Sequence, residues 1–336
     1  MKAVLWRGED IFTPGEVEKP TFGPNQILVS VKAASICTTD FHYADFKCIP
    51  PIVPGHEVAG VVIEVGAKVK KIRKGQRVVL DPVQRCGKCV CCKGGIPHMC
   101  LHTRHLGNST TPGGWAEFVA IDEQNAHLIP KNVDFVSAAL TEPAAVCMES
   151  FNRAGFRKGQ SVLIIGDGTF GFIHAMFARI GSASTIVVAG HYDKRLARIK
   201  KKTAAITCNT HKNKLSEFAK KHIGEPGFDI VIEATGATNA PNMGMELLKP
   251  RGTLVLFSYI WHPEILDLAT ISMKELNVLG ACRSLNCFDK CLKLMSQGKL
   301  DMGELVDIKA GLNEVEAAMD KLKKDKKNIF KAVLIP

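Results

Sequence analysis

The sequence predicts an α/β protein in two parts, a β-rich barrel-like domain and a doubly wound domain on a parallel sheet. Two textures carry that prediction. Over the first 140 residues or so, short β-branched segments are cut apart by Gly and Pro. From about residue 148 the apolar runs become continuous and alternate with helical stretches. The length of 336 residues fits about two domains at roughly 150 residues each, and a 46% hydrophobic fraction is ample for two cores.

Element by element, QILVSVKAASI (26–36), HEVAGVVIEVG (56–66), QRVVLDP (76–82) and GGWAEFVAID (113–122) read as strands between turn residues. SVLIIG (161–166), TIVVAG (185–190), DIVIEATG (229–236) and GTLVLFS (252–258) are the unbroken apolar runs of a buried parallel sheet. Helical patterns such as FGFIHAMFARIG (170–181) and KLSEFAKKHI (214–223) lie between them, which is the doubly wound alternation. After LNVLGA (276–281) come two helical stretches, FDKCLKLMSQGK and LNEVEAAMDKLKKD, and a last strand, IFKAVLIP. The expected division is 1–147, 148–281 and a segment 282–336 that returns to the first domain.

The net charge of +11 gathers in KVKKIRKGQR, RIKKK and KLKKDKK. Nothing aromatic is interleaved with them, so they read as solvated surfaces and no nucleic-acid partner is expected. No run of about 18 uncharged apolar residues suggests a membrane span. The opening MKAVLWRGED has no apolar stretch of a secretory signal, so a cytoplasmic protein with reduced thiols is expected.

In that setting CGKCVCCKGGIPHMC (86–100) is the most telling stretch. Cys86, Cys89, Cys92 and Cys100 are spaced C-x2-C-x2-C-x7-C, with Cys91 outside the rhythm. A disulfide cluster, a redox pair and a metal site compete. Reduced thiols and two-residue gaps that aim successive sulfurs at one ion favour a structural zinc.

Within SVLIIGDGTFGFIHAMFA, Gly166, Gly168 and Gly171 form a G-x-G-x-x-G between a strand and a helix, with Thr169 and Phe170 in the turn. Such glycines permit the tight turn, close approach to a pyrophosphate and close helix packing, while the helix N-terminus attracts phosphate. An NAD site would have an acid at the end of the next strand. Gly190 stands there, followed by His191 and Tyr192, with Lys194, Arg195 and Arg198 nearby. The missing carboxylate leaves room for a 2′-phosphate, so NADP(H) is expected over NAD(H), with Asp193 as a competing ribose ligand.

A second constellation lies in SICTTDFHY (35–43) and PGHEVAG (54–60). Cys37, His56 and, from TEPAAV, Glu142 are three residues of the types that hold a catalytic zinc with one open position. Glu57 is a candidate exchanging ligand, and Asp40 is placed to hold the second ring nitrogen of His56. Equally, Cys37 could be a core thiol and His56 a turn residue.

Taken together, Cys37-x-Thr39-Asp40, Gly55-His56-Glu57, the four-cysteine lobe, Glu142-Pro143 and the glycine-rich turn resemble the zinc-dependent medium-chain dehydrogenase/reductases over essentially the whole chain. The resemblance implies a GroES-like catalytic domain interrupted by a Rossmann domain, with the active site in a cleft. It implies Cys37, His56 and Glu142 as catalytic-zinc ligands with Glu57 close by, hence two Zn2+ per chain. Thr39 matches the hydroxyl that bonds the substrate oxygen, and His42 a relay of protons to solvent. Glu at the third position resembles the sorbitol and threonine dehydrogenase branch, with Cys147 the alternative Cys ligand. Arg283 resembles an arginine that sorbitol-type enzymes place in the cleft, and otherwise it ties the domains together. His102, Arg104, His105 and Asn108 are further polar candidates for the same cleft. The implied activity is hydride transfer between NADP(H) and a secondary alcohol or ketone, a polyol, sugar alcohol or its phosphate. A threonine-type amino-alcohol dehydrogenase and a nucleotide-binding non-enzyme are the alternatives. A homo-oligomer, dimer or tetramer, is also implied. Two departures stand out: Thr38 where polyol and threonine enzymes commonly have Gly, and the absent acid after TIVVA.

Overall fold

The computed structural model describes residues 1–109 and 111–336. Contacts divide it into two compact units, Met1–Ala145 with Leu285–Pro336, and Val146–Ser284.

In the first unit a seven-stranded sheet grows around Gln26–Ser35, which pairs antiparallel with Glu57–Val65, Phe118–Asp122 and Lys331–Ile335. Arg77–Leu80 and Ala126–Leu128 extend it on one side, Val306–Gly311 on the other. Ile27, Val29 and Val31 face a core with Trp6, Phe12, Leu80 and Trp115. Alternation would leave the opposite face wet, yet Leu28 is buried too, because the short helix Phe135–Ala139 packs on these strands. The hairpin Lys2–Gly8 with Ile11–Glu16 was not among the expected strands. The register Leu334 to Ala34 and Val333 to Ser35 sets the start of the last strand beside Ile36 and Cys37.

The second unit holds a six-stranded, all-parallel sheet. Its order is Ile206–Asn209, Thr185–Gly190, Ser161–Ile165, Phe228–Glu233, Leu248–Leu256, Asn277–Gly280. Ser161–Ile165 is buried throughout, as a continuous apolar run in a parallel sheet should be. Leu163, Val187, Phe228, Val231 and Leu254 fill one core of this unit. Order reverses at Ser161–Ile165, whose neighbours are the next strand in sequence on one side and Phe228–Glu233 on the other. Such a switch point leaves a crevice beyond the strand ends where dinucleotides bind. The edge strand Ile206–Asn209 is four residues long, too short for its pattern to stand out in KKTAAITCNT. No helix among the described residues is long and apolar enough to cross a membrane.

Candidate functional site

Cys37 ends the central strand's extension and caps a short 3-10 helix, Thr38–His42. Asp40 stabilises that turn: its Oδ2 accepts the Cys37 backbone N–H at 2.8 Å. Oδ1 accepts the Tyr43 hydroxyl at 2.8 Å and lies 3.4 Å from Nδ1 of His56. Asp40 is only 1% exposed, so its charge acts at close range. Burial works against a charged His56, but Asp40, by charge and hydrogen bond, and Cys37 outweigh it and hold the imidazole pKa well above its ordinary value. With Nδ1 turned to Asp40, Nε2 faces the other way, 3.5 Å from Thr39 Oγ1. Gly55 makes this possible. Its φ is +98°, and a Cβ there would lie 2.2 Å from the Trp115 ring.

Donor atoms of Cys37, His56 and Glu57 all lie within 4.8 Å of one another. A thiolate, an imidazole and a carboxylate so close together fit zinc chemically. Glu142, at the first turn of helix Thr141–Ala154, falls outside that set. Its carboxyl is nonetheless in the same field: burial pushes its pKa up to about 7, with His56 pulling down and Glu57 pushing up. Pro143 sits in that first turn, where its missing N–H costs nothing. Cys147 is buried and five residues further along the helix, which turns it about 140° away from Glu142.

Sequence reasoning missed Lys331. Its Nζ donates to Glu57 Oε1 and Oε2 at 2.6 and 2.7 Å and to the Ile36 carbonyl at 2.9 Å. Burial disfavours its charge, yet Glu57 and Cys37 raise its pKa overall. Both oxygens of the expected exchanging ligand are thus held by an ammonium. Only a basic residue in an otherwise apolar last strand hinted at this.

Among the other expected residues of this unit, His42 Nδ1 lies 2.7 Å from Asp45 Oδ2 near the surface. His105 comes within 5.6 Å of the His56 ring, whereas Arg104 turns to Gln84 and Asp122. His102 is exposed.

Sulfurs of Cys86, Cys89, Cys92 and Cys100 form the second group within 4.8 Å, and Cys91 is not part of it. Backbone N–H groups point at these sulfurs: Cys86 and His102 donate to Cys100 Sγ at 3.3 Å, and Cys89 to Cys86 Sγ at 3.4 Å. The N–H of Cys92 helps pull the Cys89 thiol down to about 6. Burial and thiol hydrogen bonds push Cys92 up to about 12. Four cysteine sulfurs gathered within 4.8 Å of one another suit a closed tetrahedral zinc site.

In the second unit the glycine-rich turn follows Ser161–Ile165 and opens helix Thr169–Ile180. Gly166 has φ +132°, and a Cβ on Gly171 would lie 1.9 Å from the Gly166 carbonyl oxygen. At Gly168 a Cβ would meet only Arg195 Nη1, at 3.9 Å. The turn is therefore closed behind and open in front, a cradle that fits a pyrophosphate. Phe170 packs on Phe257 at 5.0 Å between centroids. Arg195 lies over the Tyr192 ring, 5.6 Å from its centroid, and His191 packs on His211 at 4.2 Å. A Cβ on Gly190 would lie 2.3 Å from Asp167 Cβ, so the Asp167 side chain lies directly beside Gly190. Arg283 is half-buried, with a left-handed φ of +64°, a conformation uncommon for a bulky residue.

With this geometry in place, two family models match. An alcohol dehydrogenase GroES-like domain covers residues 23–131 and a zinc-binding dehydrogenase domain residues 170–297. An L-threonine 3-dehydrogenase of Bacillus velezensis is 30% identical over 100% of this chain and 99% of its own. A sorbitol dehydrogenase of Halalkalibacterium halodurans is 29% identical over 96% of each. Two solved structures, each 27% identical over 100% of this chain and 99% of theirs, share the fold. One is described as a "putative zinc-binding dehydrogenase" from Sinorhizobium meliloti 1021 bound to NADP, with a TM-score of 0.92. The other is an alcohol dehydrogenase from Escherichia coli CFT073 complexed with NADH, with a TM-score of 0.94.

Proposed function

The chain belongs to the zinc-dependent medium-chain dehydrogenase/reductases, and on that footing we propose that it moves a hydride between a nicotinamide dinucleotide and a secondary alcohol or ketone of polyol type. The observation that carries this is the buried Cys37, His56 and Glu57 cluster, with Thr39 3.5 Å from His56 Nε2. Cys37, His56 and a carboxylate, Glu142 or Glu57, would hold the catalytic zinc. Cys86, Cys89, Cys92 and Cys100 would hold a structural one. A catalytic zinc, when bound, supplies Lewis acidity that lowers the pKa of an alcohol and polarises a carbonyl.

This chain's residues do the rest. Asp40 fixes the His56 tautomer and ring. Thr39 takes the substrate hydroxyl proton, and His42, held by Asp45, passes it to solvent. Lys331 neutralises Glu57, so Glu142 is the carboxylate left to balance the metal charge. The dinucleotide lies on the turn 166–171. The absent acid at 190 and the nearby Arg195 support NADP(H), while Asp167 weighs against it.

A polyhydroxylated substrate suits the family branch, since Glu142 stands where the sorbitol-type enzymes have Glu, and a sorbitol dehydrogenase is among the relatives. The threonine dehydrogenase relative favours a second reading, oxidation of an amino alcohol. Measuring kcat/KM for polyols, polyol phosphates, ketoses, L-threonine and simple alcohols with both dinucleotides separates these. A polyol, its ketose or a phosphate ester should lead, with Arg283→Ala losing more on it than on a small ketone. L-Threonine in first place would replace this reading with the second, and plain alcohols in first place would overturn both.

A further inference from the structure

Gly190 ends its strand where an acid normally reads the adenosine ribose. That position is not an empty slot. A Cβ built on Gly190 would meet Asp167 Cβ at 2.3 Å, Cγ at 2.4 Å and Oδ2 at 2.5 Å. The carboxyl group of Asp167, arriving from the glycine-rich turn, occupies the space that a side chain at 190 would need. It is 7% exposed and firmly held, because Oδ2 accepts the backbone N–H groups of His191 and Tyr192, each at 2.7 Å. Oδ1 lies 4.0 Å from Arg195 Nη1, beyond hydrogen-bond length, and takes no hydrogen bond among the described residues.

We propose that Asp167 is the ribose-reading carboxylate of this chain, its Oδ1 accepting from the 2′-hydroxyl, so that the site selects NAD(H) over NADP(H). The inference rests on a dinucleotide lying at the turn 166–171. A 2′-phosphate would bring about two further negative charges to a carboxylate that its two amide bonds keep from turning away. The guanidinium of Arg195 does not offset this, since its single positive charge already faces Asp167. Nor does Asp193 compete for the ribose: it is tied to Lys212 at 2.6 Å and Asn209 at 2.7 Å. Sequence spacing suggests that the acid has been lost, whereas the structure shows a carboxylate supplied 23 positions earlier (190 − 167).

The test is the ratio of binding constants, read by fluorescence titration of zinc-loaded protein with NADH and NADPH. Wild type should bind NADH roughly tenfold more tightly or better, the scale of one like-charge contact in partly screened surroundings. Asp167→Asn keeps an oxygen for His191 and Tyr192 while removing the charge, so it should tighten NADPH by about tenfold and bring the ratio near one. Should that variant fail to fold, competition on wild type by ADP and by its 2′-phosphorylated form answers the same question, with ADP expected to be the stronger. Wild type preferring NADPH, an unchanged ratio in Asp167→Asn, or stronger competition by the 2′-phosphorylated form would each overturn the role of Asp167 and leave the dinucleotide site standing. Binding of neither dinucleotide would overturn the site itself, and this inference with it.

Discussion

Lys331 is 3% exposed, and the three donors of its ammonium meet the two Glu57 oxygens and the Ile36 carbonyl. Removing the cation leaves a buried carboxylate unpaired, which typically costs about 3–5 kcal/mol. Lys331→Met should therefore lower stability by that order in urea titrations of metal-loaded protein, and adding Glu57→Gln should recover much of the loss. Additive losses would show that the two residues do not act as a pair. His174 makes the residue-scale case for pH. It is fully buried, with Nδ1 donating to the Phe170 carbonyl at 2.7 Å and Nε2 2.8 Å from Ser150 Oγ. Burial lowers its pKa to about 4, against about 6.5 unfolded. The unfolded chain thus binds the extra proton first as pH falls. Stability is complete above about pH 6.5 and declines toward pH 4, by roughly 2 kcal/mol at pH 5. In His174→Gln this part of the slope should vanish. An unaltered slope would assign the acid sensitivity to other groups.

At the scale of elements, the four-cysteine lobe has little apolar burial to hold it. Its short helix Val90–Lys93 buries no residue, and Val90, Ile96, Met99 and Leu101 are exposed. If the proposed structural zinc orders it, Cys92→Ser should lose one zinc equivalent of about two and open residues 86–100 to proteolysis. Cys91→Ser should change neither. Equal metal content in Cys92→Ser and wild type would remove the structural site. The convergence of the four thiols was legible in sequence because they lie within fifteen residues. Helix Thr169–Ile180 was legible as well, since the glycines and the apolar period that define it are local. The hairpin Lys2–Gly8 with Ile11–Glu16 was not, since Pro14 and Gly15 lie inside its second strand and weaken the local β signal.

For the molecule as a whole, each unit carries its own core, so chemistry and dinucleotide binding should separate by mutation. Cys37→Ala should abolish turnover while NADH or NADPH still titrates with unchanged affinity, because the turn 166–171 is built entirely within the second unit. Loss of both together would mean that the Cys37, His56 and Glu57 cluster organises the nucleotide site, and continued turnover would remove Cys37 from the chemistry.

Taken alone, the sequence determined residue types and spacings: four thiols in one lobe, three glycines after a strand, a thiol just before a Thr and an Asp, and an imidazole further along. These are local properties of the chain, and local geometry follows from them. Strand register decided the rest. Lys331 reaches Glu57 across 274 positions because the last strand pairs with Gln26–Ser35 in the register that sets it beside Ile36. Asp167 fills the space at Gly190 because parallel pairing aligns Ile165 with Ala189, so that the two strand ends emerge side by side. Ion pairs and steric exclusion fall off within a few ångströms, and only the folded chain sets distances on that scale.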